Sequence, residues 1–444
     1  MGRRRYTWPS GEAKVDPRPG RLLRKSGHNA SMLDQWTLAG RRKPRLSGRP
    51  LTEASAITGE TMGALTGKNR VLVAMSGGVD SSVAAARLCD AGHDVVGVTL
   101  HLWDYPDDGV KGRCCAPEDQ HDARRVTDML GIPHYTFDRR ELFQEHVVAP
   151  FVDAYLEGRT PSPCVSCNRS VKIRELFTLA DRLGAAAIAT GHYARVVREG
   201  GTARLYRGRD RHKDQSYFLH MLRASELDRL ILPLGDSTKE EVRAEAITRR
   251  LAGAHKGESQ ELCFVPTGRY DAFVAERANA RIRPGPIVDR DGRVVGQHHG
   301  VHAFTVGQRK GLGVALGRPA FVVGLDATAA TVHLGDETAL HAGGATLKDT
   351  VWDDDVVFPL QAEVRVRARH DGAPAVIERH VDPMGEASFV VRFVSPVRAV
   401  SPGQVAVAYR GDRVLGGGTI EASLPSSPQS RAAEAPMSPL EVAP

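Results

Sequence analysis

VLVAMSGGVDSS, residues 71–82, is the stretch on which the fold turns. Val71 to Met75 form a five-residue aliphatic run ended by glycines, the pattern of a strand buried in a parallel sheet. Val83, Ala84, Ala85, Ala86 and Leu88 then open a helix. Gly77 and Gly78 let the chain turn sharply and bring backbone N–H groups close to a ligand. Ser81 and Ser82 stand at the helix start, where unpaired amides and the positive dipole end favour an anion. A phosphate group is the expected guest.

The turn lacks the Lys-Ser/Thr that follows the glycines of a Walker A loop. Ser76-Gly77-Gly78-Val79-Asp80-Ser81 instead resembles the PP-loop, whose members bind ATP so that pyrophosphate leaves and an acceptor oxygen is adenylated. The plainer reading is a Gly-rich turn of any doubly wound domain.

A chain of 444 residues has room for two or three domains. It contains no run of 18 apolar residues, so no membrane-spanning helix is expected. The Arg-rich start has no apolar core of a secretory signal. Six cysteines in this length do not form a disulfide scaffold and suggest a reduced, cytoplasmic setting with thiols as ligands or reactive groups. The net charge of +7 is unevenly placed. Residues 1–70 hold 15 Lys/Arg against 5 Asp/Glu, whereas the rest holds 45 against 48. RNA binding by the folded body must therefore be argued from local patches.

Residues 1–68, rich in Arg, Gly, Pro and Ser without sustained periodicity, read as a disordered basic extension. It is either an arm adding non-specific RNA affinity or the product of a start placed too far upstream of Met62. From 69 to 228 strands and helices alternate: strands at 93–100, 132–137 and 185–190, and helices at 117–131, 141–156 and 169–183. Such βα repeats imply a parallel sheet with ligands at its carboxyl edge, where VAMSGG, TLHLW and ATGHY all end. Residues 229–294 read as a small central domain carrying Cys263, with a helix in TKEEVRAEAITRRLAG. From 295 to 421 short alternating runs (AEVRVRAR, ASFVVRFV, QVAVAYRG) point to an antiparallel barrel, and 422–444 to a disordered tail. The fold class is thus α/β with a doubly wound N-terminal domain, a small central domain and a C-terminal β-barrel.

GRTPSPCVSCN (158–168) reads as a loop between two helices, with a CxxC pair at Cys164 and Cys167. Asn168 is a plausible N-cap for the helix that follows, which would place Cys167 well for a thiolate. One CxxC is half of a zinc site, which the vicinal Cys114 and Cys115 could complete in space. A structural disulfide and a redox pair are the other readings. Cys89 reads as a small core residue.

The ordered set SGGVDSS, GRTPSPCVSCN, ATGHYAR, KDQSYFL, ELCFV, GQRKGLG and SPGQ resembles the bacterial tRNA-specific 2-thiouridylases over residues 69–421. The resemblance implies a PP-loop domain of the adenine nucleotide alpha hydrolase type, a central domain and a barrel that binds tRNA. It further implies ATP with Mg²⁺, tRNA and a sulfur-donor protein as partners. The wobble uridine is adenylated on its C2 oxygen and then thiolated from a cysteine persulfide.

By motif, ATP falls to Ala74, Met75, Ser76, Gly77, Gly78, Val79, Asp80, Ser81, Leu100 and Gly191. Cys167 takes the nucleophile position and Cys263 the persulfide position, the latter expected on a mobile loop. Ser162, Pro163 and Cys164 cradle the target base. His192, Lys213, Asp214, Gln215, Arg367 and Gln404 fall on tRNA-contact positions. The two thiols should close into a disulfide after transfer.

Two positions depart from the family pattern: Cys164 stands where some members have Asp, and Ala368 follows Arg367 where Tyr is commoner. Cys164, Cys167 and Cys263 together offer a second route, an iron–sulfur cluster with one open iron. His298, His299 and His302 read as structural. Arg309 and Lys310 in GQRKGLG fit a phosphate or a solvated turn. Arg365, Arg367 and Arg369 alternate as if on one strand face, which suits an RNA backbone. Amidotransferase synthetases, cluster-dependent tRNA thiolases and a non-catalytic RNA-binding module are the rival classes.

Overall fold

The structure, a computed structural model, describes residues 70–104, 117–256, 262–265, 268–381 and 387–426. The basic extension 1–68, the Cys114–Cys115 pair and the chain beyond residue 426 lie outside the described residues.

Val71, Leu72 and Val73 are wholly buried, so β1 (Arg70–Ala74) is covered on both faces and sits inside its sheet. After it come β2 (Asp94–His101), β3 (His134–Asp138), β4 (Ala187–Ala189), a hairpin of β5 (Ala194–Glu199) and β6 (Thr202–Arg207), and β7 (Leu230–Ile231). The parallel sheet runs β3-β2-β1-β4-β7. The chain thus works outward from β1 through β2 to β3, then returns to β1's other side. The point of reversal lies between β1 and β4, and the segments leaving those two strands meet at its carboxyl end.

Helices cover both faces. α1 (Val79–Asp90) leaves the Gly-rich turn, and α2 (Pro117–Leu130) precedes β3. α3 runs as Arg140–Phe143, a π turn at Gln144–Val148, and Ala149–Leu156. α4 runs as Pro163–Cys167, a π turn at Asn168–Lys172, and Ile173–Arg182. α5 (Lys239–Thr248) lies against α1, tied by Arg87, which donates to Glu245 Oε2 at 2.7 Å and to Ser237 Oγ at 2.8 Å.

Two expectations change here. The 158–168 stretch is not a loop throughout, because helix begins at Pro163. Proline is suited to a first helical position: its fixed φ is helical and its missing N–H is one the helix leaves unbonded anyway. Asn168, at φ −63° and ψ −47°, is inside the helix and caps nothing. In addition, the start of the stretch expected as a central domain is built onto the first sheet, through β7 and α5.

α6 (Tyr270–Ala278) leads to a four-stranded sheet of β8 (Gly285–Val288), β9 (Val294–His298), β10 (Phe321–Asp326) and β11 (Thr331–Gly335), in the order β10-β11-β8-β9. Its centre is Ile287, Val322, Val332 and Leu334. Next come β12 (His341–Trp352), β13 (Leu360–Arg365), β14 (Ala373–Val381), β15 (Ala387–Arg398), β16 (Val405–Arg410) and β17 (Arg413–Pro425). They pair as β12-β15-β14-β13-β16-β17, and β17 returns to β12, closing a six-stranded antiparallel barrel without free edges. β6 adds to the barrel at β17, so the first domain and the barrel share one extended sheet.

β17 pairs with β12 as far as Pro425, so the expected tail at 422 is strand for its first residues. The expected Arg stripe also breaks. β13 ends at Arg365, and 366–369 bend and turn, so Arg367 and Arg369 do not share a strand face with it. Arg365 points inward, with Nη1 3.3 Å from the buried Asp214 Oδ2 and its guanidinium 5.8 Å from the Tyr409 ring. Ala368 packs against the main core. His298 and His302 are buried, and His298 Nε2 lies 3.0 Å from Ala330 O, in keeping with a structural reading. Cys89 is half-buried in α1; burial, with Asp90 beside it, pushes its thiol up to about 11, so it is an inert packing residue.

Candidate functional site: a Gly-rich turn and a thiol cavity joined by one segment

The turn after β1 is shaped by its glycines, with the Ser76 N–H donating to Ser81 Oγ at 3.2 Å. Gly77 takes φ +73°, and a side chain there would collide with the Asp119 backbone. Gly78 is the N-cap of α1 and has no side chain to cap it. The serines stand at the helix start, as expected, and face inward. Ser81 and Ser82 are buried and their hydroxyls donate to Gly78 O at 3.0 and 2.9 Å, bracing the turn from within. Ser76 is the exposed hydroxyl of the motif, 3.2 Å from Ser81 Oγ. Met75 continues the strand by donating to Val98 O at 2.7 Å, and Leu100 is buried near the end of β2.

Asp80, in the first turn of α1, is held by residues that the sequence did not single out. Lys239 Nζ donates to both its carboxylate oxygens at 2.7 and 2.8 Å, and Tyr193 OH donates to Oδ1 at 2.8 Å. Lys239 is only 8% exposed, so its ammonium needs this partner. On the other side of the turn, Lys256 bonds Asp119 at 2.8 Å and Asp122 at 2.5 Å, and Gly253 packs close to the Gly77 carbonyl.

The thiols lie in a separate cavity of about 170 Å³ at the same end of the sheet. Cys164 and Cys167 enter it from α4, Cys263 from the 262–265 segment, and His192 from the turn after β4. Asn168, Lys172 and Gln215 add polar groups to its lining, and Phe143, Val147, Pro163, Phe218 and Phe264 apolar ones. The volume is below the roughly 300–1,000 Å³ of a whole-ligand pocket. It suits one small ring.

Cys164 is exposed, Cys167 buried and Cys263 half-buried. The residue after Cys263 is fixed firmly: Phe264 is buried among Phe143, Phe151 and Phe273, with centroid separations of 5.5, 5.1 and 5.4 Å. Cys263 thus sits next to a packed phenylalanine. The three thiols share one cavity, yet among the described residues no group of three Cys, His, Asp or Glu is arranged to hold a metal ion. The residues do not fit the cluster alternative.

One four-residue turn, 190–193, links the two halves. Gly191 lies so close to α1 that an added Cβ would stand 2.8 Å from Asp80 C and 2.9 Å from Ser81 N. Tyr193 reaches Asp80, while its own N–H donates to Gln215 Oε1 at 2.9 Å. Between them His192 faces the thiols, its Nδ1 2.8 Å from Thr190 Oγ1. Burial, then the Lys172 ammonium, push the His192 pKa down to about 3, so it is neutral at physiological pH.

Several residues expected on tRNA make internal contacts. Asp214 accepts from the N–H groups of Gly208 and Ser216 and from Ser216 Oγ, each at 3.1 Å. Gln404 Nε2, from the barrel, donates to Thr160 O at 3.0 Å and Pro161 O at 3.3 Å, while Thr160 N–H donates to Pro402 O at 2.8 Å. The barrel therefore grips the chain just ahead of Ser162, the N-cap of α4. Lys213 lies on the turn after Asp210, and Arg367 on the bend after β13.

Family models match three consecutive parts of the chain: a tRNA methyl transferase HUP domain over 69–267, a tRNA methyl transferase PRC-barrel domain over 271–336 and an aminomethyltransferase beta-barrel domain over 344–420. A tRNA-specific 2-thiouridylase MnmA of Sorangium cellulosum is 77% identical over 81% of this chain and 94% of its own. A protein of that name from Chloroflexus aurantiacus is 48% identical over 79% of this chain and 98% of its own. A solved 4-thiouridine synthetase–RNA complex with bound ATP is more distant, at 16% identity and a TM-score of 0.31 over 48% of this chain and 51% of that one. With nearly the full length of such relatives covered at this identity, the chain belongs to the tRNA-specific 2-thiouridylase family.

Proposed function

We propose that this chain thiolates the wobble uridine of tRNA in two steps, run on the two sides of the 190–193 turn. First the uridine C2 oxygen attacks the α-phosphorus of ATP, the α–β bridge breaks and pyrophosphate leaves. The open first turn of α1 and the Gly77–Gly78 backbone receive the phosphates. Mg²⁺ accompanies the triphosphate and neutralises part of its charge. Asp80, locked by Lys239 and Tyr193, holds the helix start in place.

Second, the terminal sulfur of a Cys263 persulfide, loaded by a sulfur-donor protein, attacks C2 and displaces AMP. The Cys167 thiolate then attacks Cys263 Sγ, the old S–S bond breaks toward the base, and 2-thiouridine leaves with a Cys167–Cys263 disulfide behind. A dithiol reductant restores the enzyme. Ser162, Pro163 and Cys164 flank the base, and neutral His192 offers it a hydrogen bond without charge. The cavity suits a single flipped base.

The observation that carries this reading is the pairing of Gly191 on the phosphate side with His192 on the thiol side of one short turn, which supports adenylation and sulfur delivery at one carbon. The test is Cys263→Ser with purified tRNA, ATP, Mg²⁺ and a persulfide source. Pyrophosphate release dependent on tRNA should persist, and 2-thiouridine should vanish from the nucleoside mass spectrum. Normal thiolation by this variant would refute the carrier assignment.

A further inference from the structure

α4 passes the cavity in an unusual form. Cys167 closes its first segment, and the next five residues make a π turn in which the Ile173 N–H donates to Asn168 O, five residues back. In an α-helix residues five apart are turned about 140° from each other, so a residue at 172 would face away from one at 167. A π turn accommodates one extra residue, and positions five apart come to stand one above the other. Lys172 lines the thiol cavity together with Cys164, Cys167 and Asn168, the π turn bringing it nearer the Cys167 side of that face.

The other groups facing Cys167 leave Lys172 distinctive. From α4 itself comes Cys164, from the turn after β4 His192, and from the 262–265 segment Cys263. α3 offers only Phe143 and Val147, and the 215–218 segment Gln215 and Phe218, none of which titrates. No carboxylate is among the described residues that line the cavity. His192 is neutral, its pKa held down by burial first and the Lys172 ammonium second. Lys172 is the one cation of that wall among the described residues.

We propose that Lys172 is a positioning residue of the sulfur-transfer step, its ammonium holding Cys167 as the thiolate that attacks Cys263 Sγ. The inference rests on the assignment of Cys167 as the resolving thiol. A cation beside a cysteine lowers its pKa below the ordinary 8.5, and the thiolate is the nucleophile. The field also favours the sulfur anion that leaves with the base as the S–S bond breaks. No proton or electron passes through Lys172, so the balance of the reaction is unchanged.

The experiment is the pH dependence of iodoacetamide alkylation of reduced, full-length protein, with Cys167 followed by its own peptide in the mass spectrometer. The wild-type midpoint should fall at least one unit below 8.5. In Lys172→Met it should move up by about one unit, with alkylation near neutral pH roughly tenfold slower. Lys172→Arg should restore it. A wild-type midpoint at the ordinary thiol value, or one unmoved in Lys172→Met, overturns the inference. The wild-type measurement decides even if Lys172→Met does not fold. Pyrophosphate release dependent on tRNA, measured alongside, reports separately on the thiolation reading.

Discussion

Gly191→Ala tests the link between the phosphate turn and the strand that ends beside it. The added methyl would lie 2.8 Å from Asp80 C, 2.9 Å from Ser81 N and 3.1 Å from Asp80 Cβ, where ordinary contact begins near 3.4 Å. Something must therefore withdraw by about half an ångström, and the neighbours are not flexible side-chain ends. The Asp80–Ser81 backbone is fixed by Lys239, Tyr193 and the Ser81–Gly78 bond, while the 190–193 turn is fixed by Gln215 and by β4. Overpacking of this kind costs about 1–3 kcal/mol. If it appears as displacement of the phosphate-binding amides, ATP affinity should fall roughly 5- to 150-fold.

The assay is ATP titration by calorimetry together with KM for ATP in tRNA-dependent pyrophosphate release. Gly324→Ala in the central sheet serves as control, because a Cβ there meets nothing closer than 3.8 Å. If Gly191→Ala bound ATP within twofold of wild type, with an unchanged melting temperature, the claim that this glycine sets the position of α1's first turn would be wrong.

Two further outcomes follow from contacts away from the phosphate turn. Gln404→Ala removes two hydrogen bonds that the barrel makes to Thr160 and Pro161, each worth about 1 kcal/mol; the rate of 2-thiouridine formation should fall about tenfold at unchanged KM for ATP, and a selective loss of ATP affinity would contradict the idea that Gln404 ties the barrel to the start of α4. His220, buried with Nδ1 2.7 Å from Tyr217 O, has its pKa pushed down to about 4 by burial and by Arg169, against about 6.5 when unfolded. Below pH 6.5 the unfolded chain therefore binds a proton that the native one refuses, and stability falls with acid until about pH 4, by up to about 1.4 kcal/mol per unit. His220→Gln should flatten that slope in urea melts at pH 7, 5.5 and 4.5; an identical slope would refute it.

The elements legible in the sequence are those governed by short-range pattern. β1 shows as five apolar residues before two glycines because a strand covered on both faces has no polar positions to betray its phase. The barrel strands show because one face of each is wet and alternation survives, as in ASFVVRFV. The hairpin β5–β6 is local, paired residue by residue across the Gly200–Gly201 turn, and its pattern was passed over between the stronger strand and helix runs, while β7 is only two residues long. The start of α4 was misjudged because Pro, Ser and Cys in GRTPSPCVSCN are loop-formers by composition, whereas Pro163 at a first helical position is helix-compatible.

The site was half legible for a related reason. Motif residues required for small size or backbone shape, such as Gly77 and Gly191, carry their constraint in their own identity. Lys239 and Lys256 carry none: each is an ordinary lysine until the fold sets it beside Asp80 or Asp119. Gln404 and Asp214 show the converse. The family resemblance places them on tRNA-contact positions, and nothing local in the sequence says that in the fold Gln404 also fastens the barrel to the segment that begins α4 or that Asp214 ties Gly208 and Ser216 to Arg365. The barrel thus reaches the thiol cavity through Thr160 and Pro161, which it bonds just ahead of the α4 start that carries Cys164 and Cys167, and it makes no such contact to the Gly77–Gly78 turn among the hydrogen bonds of the described residues.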